Sequence, residues 1–393
     1  MVRCGIENGQ LVISLSGKID SLNAREAEQE IRAAIAENPG VPFLLDASEL
    51  TYISSAGLRA LLTVKKETEG DVTIRNVSQE VWETFEVTGF NTLFSVKKKL
   101  REISVEGCPV IGKGAVGTVY LLDRDTVVKV YGIPDCLAMI ENEQKRSKQA
   151  FLRGIPTAIS YDVVRVGDKY GSVFEMVNAD NCNRLIVTNP ERTGEILRIY
   201  TDFLITVHGV KMPRGELPDA RETYAGYVRA LSVLPEGMAE RILGLIADMP
   251  EDLHAVHGDV QMKNVMLSDR EPLLIDMETL CVGDPVFEFA GLFVAYIAYN
   301  DAEPGNSMEF FGFDAAACEN IYRRVLRLYL GDPDENTLRQ AEDRIEILGY
   351  IRFLYLICVM KHGKEELTAV RISRSAERLE KLLGRVTKLI LDL

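Results

Sequence analysis

The chain has 393 residues, 47% of them hydrophobic and 26% charged, which is apolar content enough for two or three well-buried domains. Its formal net charge of −14 argues against DNA or RNA as the main partner, because phosphate contacts need basic patches; it suits a cationic small molecule, or solubility alone. Seven scattered cysteines without a Cys-x-x-Cys pair fit reduced thiols in a cytoplasmic protein, no signal-peptide core stands at the start, and the most apolar run, residues 291–299, is too short to span a membrane.

The first hundred residues alternate strand and helix. Leu11–Leu15 reads as a strand ending at Gly17. Ser21 is placed to cap a helix running to about Glu37, with Ala24, Ala27, Ile31, Ala34 and Ile35 in helical spacing. Pro42–Asp46 is an apolar, central strand. Ser54 or Ser55 opens a second helix that Gly70 ends; Val72–Val77 is a further strand, and Ser78 caps a helix stopping at Gly89. This alternation predicts an α/β layer structure. Lys97–Glu102 reads as a polar bridge, and the domain boundary falls near residues 100–106.

Beyond it, Val110–Val130 reads as strand-turn-strand with glycines in the turn, and Tyr161–Val166 and Ser172–Val177 as two more strands. Helical patterning dominates from about Ile196, and Asp334–Leu393 reads as long amphipathic helices. The second unit therefore has a small β-rich lobe, about residues 106–177, and a larger helical one, about 178–393.

Three sets of residues carry chemistry. Gly112, Gly114 and Gly117, with Val119 two residues on, follow Gly-x-Gly-x-x-Gly-x-Val, where glycine lets the backbone approach phosphates without a clashing β-carbon. Alone the pattern also suits a tight hairpin. Lys129 lies in the apolar strand that follows, where a lysine needs partners; nucleotide phosphates and a helix glutamate would supply them. Glu143 is the favoured glutamate, with Glu141 as the alternative and two solvated helix-start acids as the bland reading. Backbone groups near Glu175 and Val177 would then meet the adenine edge. The third set runs from His257 to Pro285: His257-Gly258-Asp259, Asn264, Asp276 and Gly283-Asp284-Pro285. Two acids and an amide so spaced suit phosphoryl transfer, one acid orienting a hydroxyl while the amide and the second acid hold Mg²⁺ against ATP phosphates. Singly, His257 reads as a core histidine and Asp284-Pro285 as a turn.

Residues 46–62, which include Ser54-Ser55-Ala56-Gly57-Leu58, resemble the signature of STAS domains, the fold of bacterial anti-sigma factor antagonists. The resemblance covers about residues 1–100. It implies that Ser55 is the regulatory phosphoserine, although Ser54 replaces the usual preceding Asp; capping of the helix explains both serines equally well. A phosphate there would meet free backbone N–H groups and add negative charge without unfolding the helix, altering partner docking.

The segment from about Val110 to Leu292 resembles the kinase-like fold, in its aminoglycoside and choline phosphotransferase branch. That resemblance implies Asp259 as catalytic base, Asn264 and Asp276 as Mg²⁺ ligands, a structural His257, and Asp284 as an organiser of the loop. Glu288 replaces the usual Asp of the last motif, at a position expected to be remote from the chemistry. His-Gly-Asp for His-Arg-Asp, Gln261 for Lys, Asp276-Met-Glu for Asp-Phe-Gly and the missing Ala-Pro-Glu favour a small-molecule hydroxyl acceptor over a protein.

The expected whole is an α/β STAS domain (1–102) followed by a two-lobed α+β kinase-like phosphotransferase (106–393). Two rivals stand beside it. One is a binding protein of the anti-sigma antagonist type whose kinase half senses nucleotide. The other is a serine kinase acting on its own STAS domain or on a partner.

Overall fold

Val2–Glu7 (β1) is a strand that the sequence pattern did not reveal; it pairs antiparallel with Gln10–Ile19 (β2). The computed structural model describes residues 2–7, 9–68, 70–114, 116–268, 271–303 and 305–391. β2 runs past Gly17, whose φ of 75° accompanies a register shift against the next strand, so this glycine marks a bulge within a strand rather than its end. Ala24–Ala36 (α1), Phe43–Ile53 (β3), Ser55–Glu67 (α2), Thr73–Val77 (β4), Gln79–Val87 (α3) and Ser95–Lys98 (β5) complete a sheet ordered β1-β2-β3-β4-β5, parallel from β2 onward. Its core sets Ile13, Leu15, Leu45 and Ile74 beside Ile31, Leu61 and Phe85.

α1 opens at Ala24 and not at Ser21. Asn23 takes the cap position, its side chain accepting from the Asp20 N–H and donating to the Lys18 carbonyl, both at 2.9 Å. The expected polar bridge is largely strand: Arg101–Glu102 (β6) follows β5 and pairs in parallel with Val164 and Arg165. Residues 1–104 and 164–168 form one unit, and the remainder forms a second.

The second unit starts with a meander, Val110–Lys113 (β7), Gly117–Leu121 (β8) and Thr126–Tyr131 (β9), one strand more than the sequence suggested. Leu137–Leu152 (α4) follows, then Ser160–Val166 (β10) and Lys169–Glu175 (β11), with β11 antiparallel to β9. The helical lobe contains Asp180–Asn181 (β12), Cys182–Thr188 (α5), Thr193–His208 (α6), Ala220–Ala230 (α7) and Glu236–Ala247 (α8). Ala255–Val256 (β13), Val265–Ser268 (β14), Glu271–Leu274 (β15) and Cys281–Val282 (β16) form two short ladders, β12-β14-β15 and β13-β16. Val286–Tyr296 (α9), Asn306–Phe311 (α10), Ala315–Tyr329 (α11), Glu335–Cys358 (α12) and Thr368–Leu383 (α13) complete it.

α9 is apolar around its circumference and is buried from Val286 to Val294, so it forms the centre of the lobe. α12 departs from the expected amphipathic pattern: Ile347 through Ile351 are all buried, because several helices enclose its C-terminal half. Among the described residues no helix is long and apolar enough to cross a membrane.

Candidate active site

The small lobe contributes Lys129, between the buried Val128 and Val130 of β9. Its Nζ lies 3.5 Å from Glu143 Oε1 and 2.5 Å from Asp276 Oδ1. Burial opposes the ammonium charge, but Asp276 and Glu143 outweigh it and hold Lys129 above its ordinary pKa. Glu143 is buried, whereas Glu141 is exposed. The helix begins at Leu137, so Glu143 does not open it as expected but projects from its second turn. The hydroxyl of Tyr131 donates to Glu143 Oε2 at 2.9 Å and fixes the acid's second oxygen.

The three glycines of the strand-turn-strand segment differ in what demands them. A β-carbon on Gly117 would lie 2.5 Å from the Val130 carbonyl oxygen, so the β8–β9 pairing itself requires glycine. At Gly114 the nearest heavy atom would be 3.9 Å away, and at Gly112 3.6 Å away, so the chain's own packing leaves both free to carry a side chain. Ala115, between them in the motif, lies outside the described residues.

Asp259 follows the two-residue strand β13 on a tight turn in which Gly258 has φ 80°. The turn is held from α9. Glu288, fully buried, accepts the His257 N–H at 2.7 Å and the Gly258 N–H at 2.8 Å. Its Oε2 is also 3.2 Å from His208 Nε2, and His208 Nδ1 lies 2.8 Å from the Tyr329 hydroxyl. Burial raises the Glu288 pKa, but the bonds from His208 and His257 win and hold it below the usual carboxylate range. Glu288 is thus not remote from Asp259; it anchors the loop that carries it. Asp284 instead accepts the N–H groups of Val286 at 2.8 Å and Leu391 at 3.2 Å, so it ties the start of α9 to the C-terminal segment and not to the loop. The buried His257 ring sits 3.1 Å from the Ile275 carbonyl, a structural placement.

The Asp259 carboxylate has one oxygen, Oδ2, 3.2 Å from both Asn264 Nδ2 and Gln261 Nε2. Asn264 Nδ2 also bonds the Asp259 carbonyl at 2.8 Å. Asp276 has φ 65° and precedes the 3-10 turn Met277–Thr279, a left-handed position that Asp tolerates. The structure thus joins Lys129, Glu143 and Asp276 in one cluster and Asp259 with Asn264 in a second. Glu175 ends β11, exposed, and Val177 lies two residues on, where its carbonyl accepts from the Ala179 N–H at 2.9 Å. Val177 also lines a cavity of about 670 Å³ with Ile199, Phe203 and Met266, and neither cluster contributes to that cavity's lining.

Sequence reasoning missed two arginines. Arg352 of α12 donates to the Gly258 carbonyl, with Nη2 3.6 Å from Asp259 Oδ1. Arg146 of α4 donates to the Glu278 carbonyl, beside Asp276. Arg352 had a signal, as the one charged residue between Ile347 and Cys358; Arg146, on a polar helix, had none.

In the first unit Ser54 is the cap of α2. Its hydroxyl accepts from the N–H groups of Ala56 at 3.2 Å and Gly57 at 3.4 Å, whereas Ser55 is exposed at the first helical position.

The family model described as "Mlab, STAS domain" matches residues 2–100, and that of the "Phosphotransferase enzyme family" matches residues 108–334. BtrV of Bordetella bronchiseptica, named as a candidate anti-sigma factor antagonist, is 36% identical over 92 residues, 23% of this chain and 78% of that protein. Among solved structures, a thermostable mutant of aminoglycoside phosphotransferase APH(4)-Ia, in ternary complex with AMP-PNP and hygromycin B, aligns at 13% identity and a TM-score of 0.49. That alignment covers 72% of this chain and 95% of the other. ADP-bound aminoglycoside phosphotransferase APH(2'')-Ib aligns at 15% identity and a TM-score of 0.47, covering 70% and 93%.

Proposed function

Since the chain belongs to the phosphotransferase enzyme family and carries an N-terminal STAS domain, we propose that it moves the γ-phosphoryl group of ATP to a hydroxyl of a small molecule, with Mg²⁺. The observation that carries this reading is the Lys129–Glu143–Asp276 cluster, held in one unit with an Asp259 whose carboxylate is oriented by Asn264 and Gln261. Lys129, fixed by Glu143, would meet nucleotide phosphates, and the room left at Gly112 and Gly114 suits close approach of the same phosphates. The backbone near Glu175 and Val177 would meet the base.

The donor set suits Mg²⁺. Asp276 supplies a carboxylate, and Asn264 spends its amide nitrogen on Asp259, so its carbonyl oxygen is the atom that would serve a cation; these are hard oxygen donors, few enough to leave positions for phosphate. When bound, Mg²⁺ would neutralise phosphate charge. Asp259 would accept a hydrogen bond from the acceptor hydroxyl and take its proton as the phosphoryl group leaves ATP. Gln261 in place of Lys and Asp276-Met-Glu in place of Asp-Phe-Gly support a small acceptor. Calorimetry with Mg-ATP, followed by a coupled ADP-release screen of hydroxyl metabolites against Asp259→Asn, tests the reading; folded protein that binds no nucleotide overturns it.

A second reading concerns the STAS module, and the division of labour between Ser54 and Ser55 supports it. Ser54 does the capping, so Ser55 is left exposed for modification or for docking a protein partner. Transfer of labelled γ-phosphate to Ser55 in cis would be first order and lost in both Ser55→Ala and Asp259→Asn. Label that never enters residues 1–104 while a small molecule turns over rejects self-phosphorylation.

A further inference from the structure

The residue that orients a catalytic carboxylate is ordinarily sought beside it in sequence. Here the position two residues after Asp259 holds Gln261, which is neutral. A cation reaches the same carboxylate from elsewhere. Arg352 lies on α12, beyond residues 108–334 that the phosphotransferase family model matches.

The peptide group between Gly258 and Asp259 is the hinge of the loop. Gly258 is in the left-handed region, so its orientation depends on what grips it. On the amide side, Glu288 accepts the Gly258 N–H at 2.8 Å. On the carbonyl side, Arg352 Nη1 donates to the Gly258 oxygen. The same guanidinium sets Nη2 3.6 Å from Asp259 Oδ1, outside hydrogen-bonding distance but inside strong Coulomb range. Oδ2 takes the two amide bonds from Asn264 and Gln261. The two carboxylate oxygens are therefore unlike: one is fixed by amides, and the other faces a charge that does not bond it directly.

We propose that Arg352 is a positioning residue for phosphoryl transfer, which locks the Gly258–Asp259 peptide through the Gly258 carbonyl and presents Asp259 Oδ1 to the acceptor hydroxyl. The proposal rests on Asp259 being the base of the reading above. A cation in this interior needs partners, and Arg352 finds them in the Gly258 carbonyl and the Asp259 carboxylate. Burial works against its charge, and the Asp259 carboxylate beside it opposes that cost. Its place is also sterically reserved: a β-carbon on Gly291 would lie 3.3 Å from Arg352 Nη1 and 2.6 Å from the Gly258 oxygen, so glycine on α9 opens the passage through which the guanidinium reaches the loop. Three helix and loop segments are thus shaped around one contact.

Hydrolysis of Mg-ATP with water as acceptor, measured on the full chain, tests this without knowledge of the natural acceptor. Arg352→Gln is neutral and too short to reach the Gly258 carbonyl, so it loses both the charge and the bond; Arg352→Lys keeps the charge and a single donor and loses the fork. The expected result is a kcat fall of about 100-fold for Gln, about that of a misplaced catalytic group, and of about 10-fold or less for Lys. KM for ATP and calorimetric nucleotide affinity should stay within about 3-fold in both. A Gln variant as active as the parent, equal losses in both variants, or a parallel loss of nucleotide affinity would overturn the proposal. Crystal structures of the parent and of Arg352→Gln give an independent arm. Rotation of the Gly258 carbonyl or of the Asp259 carboxylate supports it, and an unmoved loop rejects it. A parent that binds Mg-ATP without any turnover counts against the transferase reading, and the structural arm still decides the role of Arg352.

Discussion

Glu288 Oε1 accepts the backbone N–H of Gly258 at 2.8 Å, across thirty positions of sequence and from inside a fully buried helix. With the His257 N–H on its other oxygen and His208 behind, this carboxylate has every contact needed to stay charged in an apolar lobe. Glu288→Ala removes the acceptor of two buried N–H groups and the partner of His208 at once. It should lose roughly 2–6 kcal/mol in urea unfolding at pH 7, about 1–3 kcal/mol for each of the two buried N–H groups left without an acceptor. The pH sign follows from the depressed pKa. The stabilisation is fully present above the unfolded carboxylate value of 4.5 and fades as pH falls through the lower folded value. The difference between parent and variant should therefore shrink in acid; a constant difference would remove Glu288 ionisation from the account.

The two clusters of the site separate binding from turnover. Asp276→Ala removes a carboxylate from both Lys129 and the cation donor set, so Mg²⁺-dependent nucleotide binding by calorimetry should be lost. Asp259→Asn keeps the amide contacts of Oδ2 and should keep nucleotide binding while kcat falls by about 10²–10⁴-fold, the range of general acid–base catalysis. Equal nucleotide affinity for parent and Asp276→Ala would dismiss Asp276 as a cation ligand.

Three glycine substitutions sort structure from site. A β-carbon on Gly57 would meet Ile53 Cγ1 at 2.7 Å and the Ile19 carbonyl at 2.9 Å; one on Gly117 would meet the Val130 carbonyl at 2.5 Å. Each alanine variant should lose about 1–3 kcal/mol, as overpacked sites do. Gly114→Ala meets nothing closer than 3.9 Å, so it should melt with the parent and weaken Mg-ATP binding. Parental nucleotide affinity in folded Gly114→Ala would mean that this turn does not approach the phosphates.

Much of this was legible because it was local. The α/β alternation, the serine before Gly57 and the spacing from Asp259 to Asn264 are written in contiguous residues whose chemistry is specific to one task. What stayed hidden depends on distance. Glu288 looked remote because the motif gives only its place on α9, and two bonds across the lobe decide its role. β1 escaped because five of its six residues are exposed, which leaves no alternation to read. Ser21 looked like a cap because serine caps helices, but Asn23, with both an acceptor and a donor, closes the turn on both sides. Arg352 stood out only as a charge among apolar neighbours, and its target cannot be read from one helix.

A last expectation concerns stability and pH away from the site. Glu346 lies on α12, where burial raises its pKa to about 7; Arg378 and Arg385 oppose the shift, while Asp343 and Glu342 add to it. The folded value lies above the unfolded carboxylate value of 4.5, so the folded state binds the proton more tightly. The stability tied to that proton is complete below the unfolded value and is lost as pH rises through about 7. Glu346→Gln keeps the size and the polarity and cannot ionise. It should melt with the parent at pH 4 and above it by roughly 2–4 °C at pH 8, the shift that about 1 kcal/mol gives a large domain. Equal melting curves for the two proteins at pH 8 would show that Arg378 and Arg385 neutralise the carboxylate completely, and that its burial carries no net cost.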